Sequence, residues 1–565
     1  MNIRRSILLV TALFVGASLF SQTRDFKVIA FYSESVDPEH VVFANTAVDF
    51  FAGLSSWNSF TFESTTDMRH MNYAKLHQYD VVMMFNDLTF TPAQQEAFQK
   101  YMENGGGWYG MHIAALVKDG KWDWFTHFLG GCILSRYSWP PLPAKLSVED
   151  PLHPVCKGLP GQFVSPVNEW YQWGPAPGDN PQVDVLVSLA PDEFPHGIKN
   201  EITGGDVPVV WTHTKYRMIY LNMGHGKNIF SDATQNHLFV NALQWLVRKE
   251  VPVEERVSVA YVTSWETGIP DPSLLTHINY AFGHVNETFN GITVDNPERL
   301  QSIVGLKSLK PELKVSLSIG GWGSGRFSEM AAIPENRKAF AADCRRVVEE
   351  YRLDGIDIDW EYPTNRGPGI SSAPEDTRNF TLLMKDIRQA IGPGRLLTLA
   401  SAASGKFIDF KSLNGVVDFV NIMTYDMSVP PFHHSGLYPS SMTGPLSCYE
   451  AVLAHIRAGF PRNKLVLGIP FYGKPGKDFP KGANDYGQLI QLADYEQKWD
   501  DIAKAPYLTG PGGEIVCTYD NPRSIGYKCR FILKYGLKGA MFWDYNGDDE
   551  LGSLRKAIYD GILLP

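Results

Sequence analysis

The sequence predicts two α/β domains in series: an open sheet with helices on both faces, then a closed barrel of eight β/α units. Three observations predict it. Strand-like and helical runs alternate from Phe26 to about Arg248. A charged stretch with a proline, "KEVPVEER" (Lys249 to Arg256), interrupts them and reads as a linker. From Val257 eight further apolar runs recur, most of them separated by helical stretches. With 565 residues, 44% of them hydrophobic, the chain has material for two large cores.

In the first half, "KVIAFYS" reads as the opening strand. "DVVMMFND" (Asp80 to Asp87) is continuously apolar at its centre, as in a strand buried on both faces. Thr91 and Pro92 start a helix that "ENGGG" ends, because proline suits the first turn and glycine the exit. "WYGMHIA", "VDVLVSLA", "VPVVWTH" and "YRMIYLNM" read as further strands, and "NHLFVNALQWLVRK" as a closing helix. The alternation predicts a mostly parallel sheet, in which ligands sit outside the carboxyl ends of the strands. Asn86, Asp87, His112 and His225 fall at or just beyond such ends.

The second half offers "VSVAYVTSW", "HINYAFGHV", "KVSLSIGGW", "GIDIDWEY", "LLTLASAAS", "FVNIMTYDM", "LVLGIPFYG" and "GAMFWDYNG" as its eight strands. Helical stretches such as "ENRKAFAADCRRVVEEY" and "TRNFTLLMKDIRQAI" separate most of them. Barrels of this type carry their active sites at the carboxyl ends of the strands.

The fourth of these strands holds the chemistry. Alternation turns Ile356, Ile358 and Trp360 toward the outer helices and Asp357, Asp359 and Glu361 inward. Neighbours two apart rise about 6.5 Å, so Glu361 is nearest the mouth and Asp357 deepest. Like charges and desolvation raise a carboxyl pKa, so this column predicts a protonated Glu361 able to act as a general acid. A calcium loop would need a glycine turn rather than an apolar strand. With no basic residue between Asp354 and Glu361, a local ion pair is not expected either. Asp354 has the opposite parity, and the pattern gives it no role.

"DGIDIDWEYP" resembles the catalytic signature of glycoside hydrolase family 18, the chitinase family, with Asp354, Asp357, Asp359 and Glu361 filling its four acidic positions. "SLSIGGW", "MTYD" and "GAMFWDYNGDD" resemble its third-, sixth- and eighth-strand motifs, in order, and the likeness covers about Val257 to Ile562. It implies a TIM barrel and a retaining, substrate-assisted glycosidase without an enzyme nucleophile. Glu361 would protonate the glycosidic oxygen, Asp359 orient the substrate acetamido group, Asp357 tune Asp359, and Tyr425 bond the acetamido carbonyl. Trp543 would form the floor. Asp426, Met423, Tyr261, Phe282, Gly320, Gly321 and Tyr362 complete the substrate-binding set it implies. The substrate should contain N-acetylglucosamine. Many members carry a large subdomain after "GIPFYGK"; here that region is short, which predicts a shallow groove.

"GGGWYGMHIAA", "EDPLHPVCKGLP", "NEWYQW" and "YLNMGHG" together resemble the trehalose-utilisation (ThuA-like) family, whose fold is similar to flavodoxin-type class I glutamine amidotransferases. His112 stands where those enzymes place a cysteine, so amidotransferase chemistry is not expected. His112, Glu169 and His225 are a candidate cluster: polar or metal-binding, or a structural hydrogen-bonded network. His153, His196 and His213 read as ordinary core or surface histidines. No cofactor is expected, and no metal is assigned.

Arg4 and Arg5 before "ILLVTALFVGASLF", with polar residues after, have the layout of a secretory signal peptide over 1–22. The run is short for a membrane span. The expected organisation is therefore a signal peptide, an α/β domain at 26–248, a linker at 249–256 and the barrel at 257–565, in a secreted or periplasmic protein that could associate with the cell surface. The six cysteines show no zinc spacing; export would permit Cys517–Cys529 or Cys132–Cys156 pairing, or all six remain thiols. A formal charge of −10 without a basic run argues against nucleic acid. The expected partner is an N-acetylglucosamine-containing oligo- or polysaccharide. Alternatives are an endo-β-N-acetylglucosaminidase on N-glycans, a non-catalytic lectin, or a principal enzyme in the first domain served by a sugar-binding barrel.

Overall fold

The computed structural model describes residues 26–56, 60–116, 122–190, 202, 207–247, 255–477, 479–480 and 482–564. The predicted signal peptide, most of the linker and His196 lie outside the described residues. The chain divides into two compact units, Met1–Lys249 and Glu250–Pro565. Among the described residues no helix is long and apolar enough to cross a membrane. All six cysteines are buried and free, so neither pairing forms.

The first unit contains β1 (Phe26–Phe31), β2 (Phe60–Thr65), β3 (Val81–Met84), β4 (Gly107–Met111), β5 (Ile133–Tyr137), β6 (Leu142–Val148), β7 (Gln162–Asn168), β8 (Tyr171–Gly174), β9 (Val183–Leu189), β10 (Pro208–His213) and β11 (Met218–Leu221). Nine of them form one open sheet in the order β2-β1-β3-β4-β11-β10-β9-β6-β7, and β5 pairs with β8 apart from it. The pairings from β2 to β11 are parallel, but those from β11 through β7 are antiparallel. The expectation of a mostly parallel sheet therefore holds for one half only. The reason was already in the spacing. Only four residues join β10 to β11, whereas a parallel crossover needs about a dozen or more.

β3 is buried on both faces as its composition requires: Val81 and Met83 join one core, Val82 and Met84 the other. The helix Pro92–Glu103 starts with a capping box in which the Thr91 and Gln94 side chains each accept from or bond to the other's backbone. His153 and His213 are buried, each accepting a backbone N–H, from Val155 and Lys215.

The second unit contains β12 (Val257–Thr263), β13 (His277–Val285), β14 (Ile292–Val294), β15 (Lys314–Gly320), β16 (Gly355–Asp359), β17 (Leu396–Ala402), β18 (Phe419–Met423), β19 (Leu465–Pro470), β20 (Lys474–Pro475), β21 (Glu496–Asp500), β22 (Ala505–Thr509), β23 (Ile515–Thr518) and β24 (Gly539–Trp543). Eight of them close a barrel in the order β12-β13-β15-β16-β17-β18-β19-β24, with every adjacent pair parallel. All eight contain the predicted strand centres. Inward residues such as Val259, Ala281, Ala400, Phe419, Val466 and Met541 fill the interior. β14 adds an antiparallel edge to β13. The short region after β19 builds a small antiparallel sheet, β20-β23-β22-β21.

Asp354 finds its role here. It sits just before β16, where its Oδ2 accepts from Lys307 Nζ at 2.7 Å and from the Val315 backbone N–H at 2.9 Å. Lys314 Nζ lies 3.7 Å from its other oxygen. The ion pair absent from the local sequence is thus supplied by lysines of the preceding β/α unit, and it ties β16 to β15 at the amino end of the barrel.

Candidate active site

β16 delivers its carboxylates to the interior in layers. Asp357 is fully buried. Its Oδ2 accepts from the hydroxyls of Tyr261 and Ser318, both at 2.8 Å. Its Oδ1 accepts from Thr398 Oγ1 at 2.5 Å and Asn421 Nδ2 at 3.3 Å. Burial raises its pKa while these four donors pull it back. Asp359, one layer up, has no such support: its Oδ1 is buried without a hydrogen-bond partner among the described residues. Burial, then the charges of Glu361 and Asp357, lift its pKa well above the carboxylate range.

Glu361 lies two residues beyond the end of β16, so the turn after the strand rather than the ladder places it. It is 9% exposed, and burial pushes its pKa up to about 7. A hydrogen bond from Tyr362 lowers it, and the Asp426 charge raises it. The expected direction holds, but burial is the leading cause. Asp359 feels the Glu361 charge, so its proton affinity depends on whether Glu361 is ionised.

Both open onto a cavity of about 830 Å³. Gly320 and Gly321 form its side. At Gly320, φ is +129° and a Cβ would lie 2.0 Å from the Asp359 carbonyl oxygen; at Gly321 it would meet the Phe282 ring at 2.8 Å. Only glycine lets β15 pass this close to Asp359. Trp543 forms the floor, stacked on Phe282 at 5.6 Å with Tyr261 also at 5.6 Å. Three non-proline cis peptide bonds, Ala281–Phe282, Glu361–Tyr362 and Trp543–Asp544, each include a lining residue.

Met423, Tyr425 and Asp426 line the wall where β18 ends. Among the described residues, the Tyr425 hydroxyl makes only a long contact with Met541 Sδ, at 3.9 Å, which leaves it able to donate elsewhere. Asp426 accepts from the Tyr472 hydroxyl and faces Lys474 Nζ, both at 3.0 Å, with His434 Nδ1 at 3.6 Å. Burial works against its charge, but His434 and Lys474 outweigh it and hold the carboxyl far below its usual range.

Two predicted residues do not line the cavity. Asp357 lies beneath it, and Tyr362 stacks on Phe407 at 5.3 Å while bonding to Glu361. Sequence reasoning missed Trp265 and Trp322 as exposed aromatic platforms, 60% and 68% accessible, at the rim. It also missed Tyr472, Lys474 and His434. Trp322 closes the quoted "SLSIGGW", Trp265 closes "VSVAYVTSW", and Tyr472 and Lys474 stand in "GIPFYGK", so signals for them existed; only His434 lies in no quoted run.

In the first unit, His112, Glu169 and His225 do come together. Glu169 Oε2 is 3.5 Å from His112 Nε2 and 3.6 Å from His225 Nδ1. His40 joins them, its ring centroid 5.2 Å from that of His112 and 5.4 Å from that of His225. Nothing in the sequence near His40 marks it.

A closed parallel barrel with layered carboxylates below an aromatic-floored cavity defines a carbohydrate-active type of site. Residues 257–548 match the family "Glycosyl hydrolases family 18", and the chain belongs to that family. Residues 28–246 match ThuA, "Trehalose utilisation". Chitinase A1 of Niallia circulans is 31% identical over 390 residues, covering 51% of this chain and 55% of its own length. The chain thus spans about half of that relative. Chitinase B of Serratia marcescens is 28% identical over 381 residues, 50% of this chain and 75% of its own. A solved family 18 N-acetylglucosaminidase from Paenibacillus barengoltzii is 35% identical with a TM-score of 0.50, covering 54% of this chain and 99% of that one.

Proposed function

We propose that the barrel hydrolyses β-1,4 linkages beside N-acetylglucosamine in chitin-like oligosaccharides, by retaining, substrate-assisted catalysis. The observation that carries this reading is the buried Asp359 Oδ1, without a hydrogen-bond partner among the described residues, in the cavity that Glu361 and Tyr425 also line. A buried acceptor without a donor costs about 1–3 kcal/mol, and an amide N–H of the substrate would satisfy it. Glu361, protonated to near neutrality, donates to the leaving oxygen. The acetamido carbonyl attacks the anomeric carbon, Asp359 accepts the acetamido N–H, the positive charge developing there favours the ionised carboxylate that balances it, and Tyr425 steadies the carbonyl oxygen. Glu361, now ionised, takes the proton of the incoming water. Asp357 acts from below by fixing Asp359 in place. Trp543 packs against the apolar face of the sugar.

The mechanism is tested with Glu361→Gln and with a thiazoline analogue of the bicyclic intermediate. The analogue should inhibit, and the initial product should keep the β configuration by NMR; an inverted initial product would overturn the reading. The likeness to the Paenibacillus barengoltzii enzyme, which spans nearly all of that protein, favours a second reading for the product: single N-acetylglucosamine units instead of longer fragments. Chromatography of the products from chitohexaose decides between them. The segment Arg4 to Phe20 supports action outside the cytoplasm.

A further inference from the structure

Four elements of the first unit each aim one side chain at a common centre. His40 lies in the first turn of the helix Pro38–Ser55, His112 directly follows β4, Glu169 lies between β7 and β8, and His225 follows β11. One donor atom from each lies within 4.8 Å of all the others. The spacings of 3.5 and 3.6 Å from Glu169 Oε2 to His112 and His225 are close to a tetrahedral edge, about 3.4 Å for metal–ligand bonds near 2.0–2.1 Å.

The groups behind the rings set the same geometry. His40 Nδ1 faces Asp87 Oδ2 at 2.9 Å, and His112 Nδ1 faces the Asn222 carbonyl at 2.8 Å. A carboxylate or carbonyl at Nδ1 takes the ring N–H and leaves the Nε2 lone pair for the centre. Tyr171 holds Glu169 from the side, donating to Oε2 at 3.0 Å, with its hydroxyl also 2.8 Å from His112 Nε2. A purely structural network would use the ring nitrogens in hydrogen bonds. His40 Nε2 and His225 Nδ1 are buried and have no such partner among the described residues.

We propose that the first unit binds one divalent first-row transition metal ion, of the zinc class, through His40, His112, His225 and Glu169. Three neutral imidazoles and one carboxylate suit that class better than magnesium or calcium, which take oxygen ligands. They offset half of the ion's charge, so an anionic or readily deprotonated oxygen ligand is drawn to any remaining position.

The full chain, stripped with a chelator and dialysed, is titrated with Zn²⁺ by calorimetry and with Co²⁺ by visible absorption. One ion per chain is expected, with X-ray absorption showing three imidazoles in the first shell. His40→Gln and His225→Gln should each weaken binding at least about tenfold, and Asp87→Asn about 10- to 100-fold through His40 alone. Circular dichroism and the thermal midpoint of each stripped variant report whether it has folded. The proposal is overturned by the absence of a stoichiometric ion, by fewer than three imidazoles in the unmutated chain, or by unchanged affinity in folded His40 and His225 variants. The imidazole count needs no variant, so it decides even if the substitutions unfold the chain.

Discussion

The carboxylate column of the barrel and the histidine cluster of the first unit both bury ionisable side chains at strand ends, and burial leaves them with opposite things to give. Desolvation disfavours charge of either sign. In the barrel it pushes Glu361 up to about 7 and raises Asp359 well above the carboxylate range, so the site holds protons. In the first unit it pushes His112 down to about 4 and lowers His225, so the site holds lone pairs. The difference teaches that residue type, not depth, decides whether a buried cluster serves acid chemistry or ligation. The supports differ accordingly. Asp357 is saturated by four donors from four other barrel strands, whereas His40 and His112 are backed by acceptors.

The comparison breaks most severely at Glu361. Glu361→Gln keeps the shape and removes the proton to be given, so kcat on chitooligosaccharides should fall about 10³-fold with KM nearly unchanged. Steady-state kinetics check this, with calorimetry on the same ligands to show retained binding; near-normal turnover would sink the acid assignment. Asp359→Asn should cost about 10²-fold in kcat, since the positive acetamido group loses its counter-charge but keeps an oxygen nearby.

The electrostatics sharpen it further. A general acid must be protonated, so kcat/KM should decline as pH rises through about 7. Asp426→Asn removes a charge that raises Glu361, and this limb should move to lower pH. A stability effect accompanies it. The folded pKa of Glu361 is raised, so its contribution is full below the unfolded value near 4.3 and lost as pH rises through about 7. Glu361→Gln lacks that loss, and its thermal midpoint relative to the parent should rise between pH 5 and pH 8. A constant difference would show that Glu361 ionises as readily folded as unfolded. The smallest effect belongs to Asp354→Asn, which should destabilise by about 1–2 kcal/mol in denaturant unfolding and leave kcat alone, because its partners lie at the other end of β16.

The two sites also differ in how far the sequence discloses them. Asp357 and Asp359 stand on one strand face and Glu361 continues the alternation just past the strand end, so a period of two exposes them together. All eight barrel strands were legible for the same reason: each is a short apolar run bounded by turns. The histidine cluster has no periodicity because four elements supply one residue each, and His40 sits inside an ordinary amphipathic helix. Tyr472 and Lys474 stand in the quoted "GIPFYGK", but only their contacts with Asp426 in the folded chain give them a task. The antiparallel half of the first sheet was readable but misjudged. The four-residue gap between β10 and β11 excluded a crossover, and the alternation of runs obscured it.

His112 has a φ of +52°, and a Cβ on Gly224 would lie 2.1 Å from the His112 Cβ. The closest conflict is with the Cβ; the imidazole Cγ follows at 2.9 Å and the Phe43 ring at 3.2 Å. Replacing His112 with alanine would discard the ligand and leave the closest conflict intact; glycine at 112 would remove it and leave the Phe43 contact. Along a lineage, then, the histidine can be lost in a single step while its glycine neighbour stays locked.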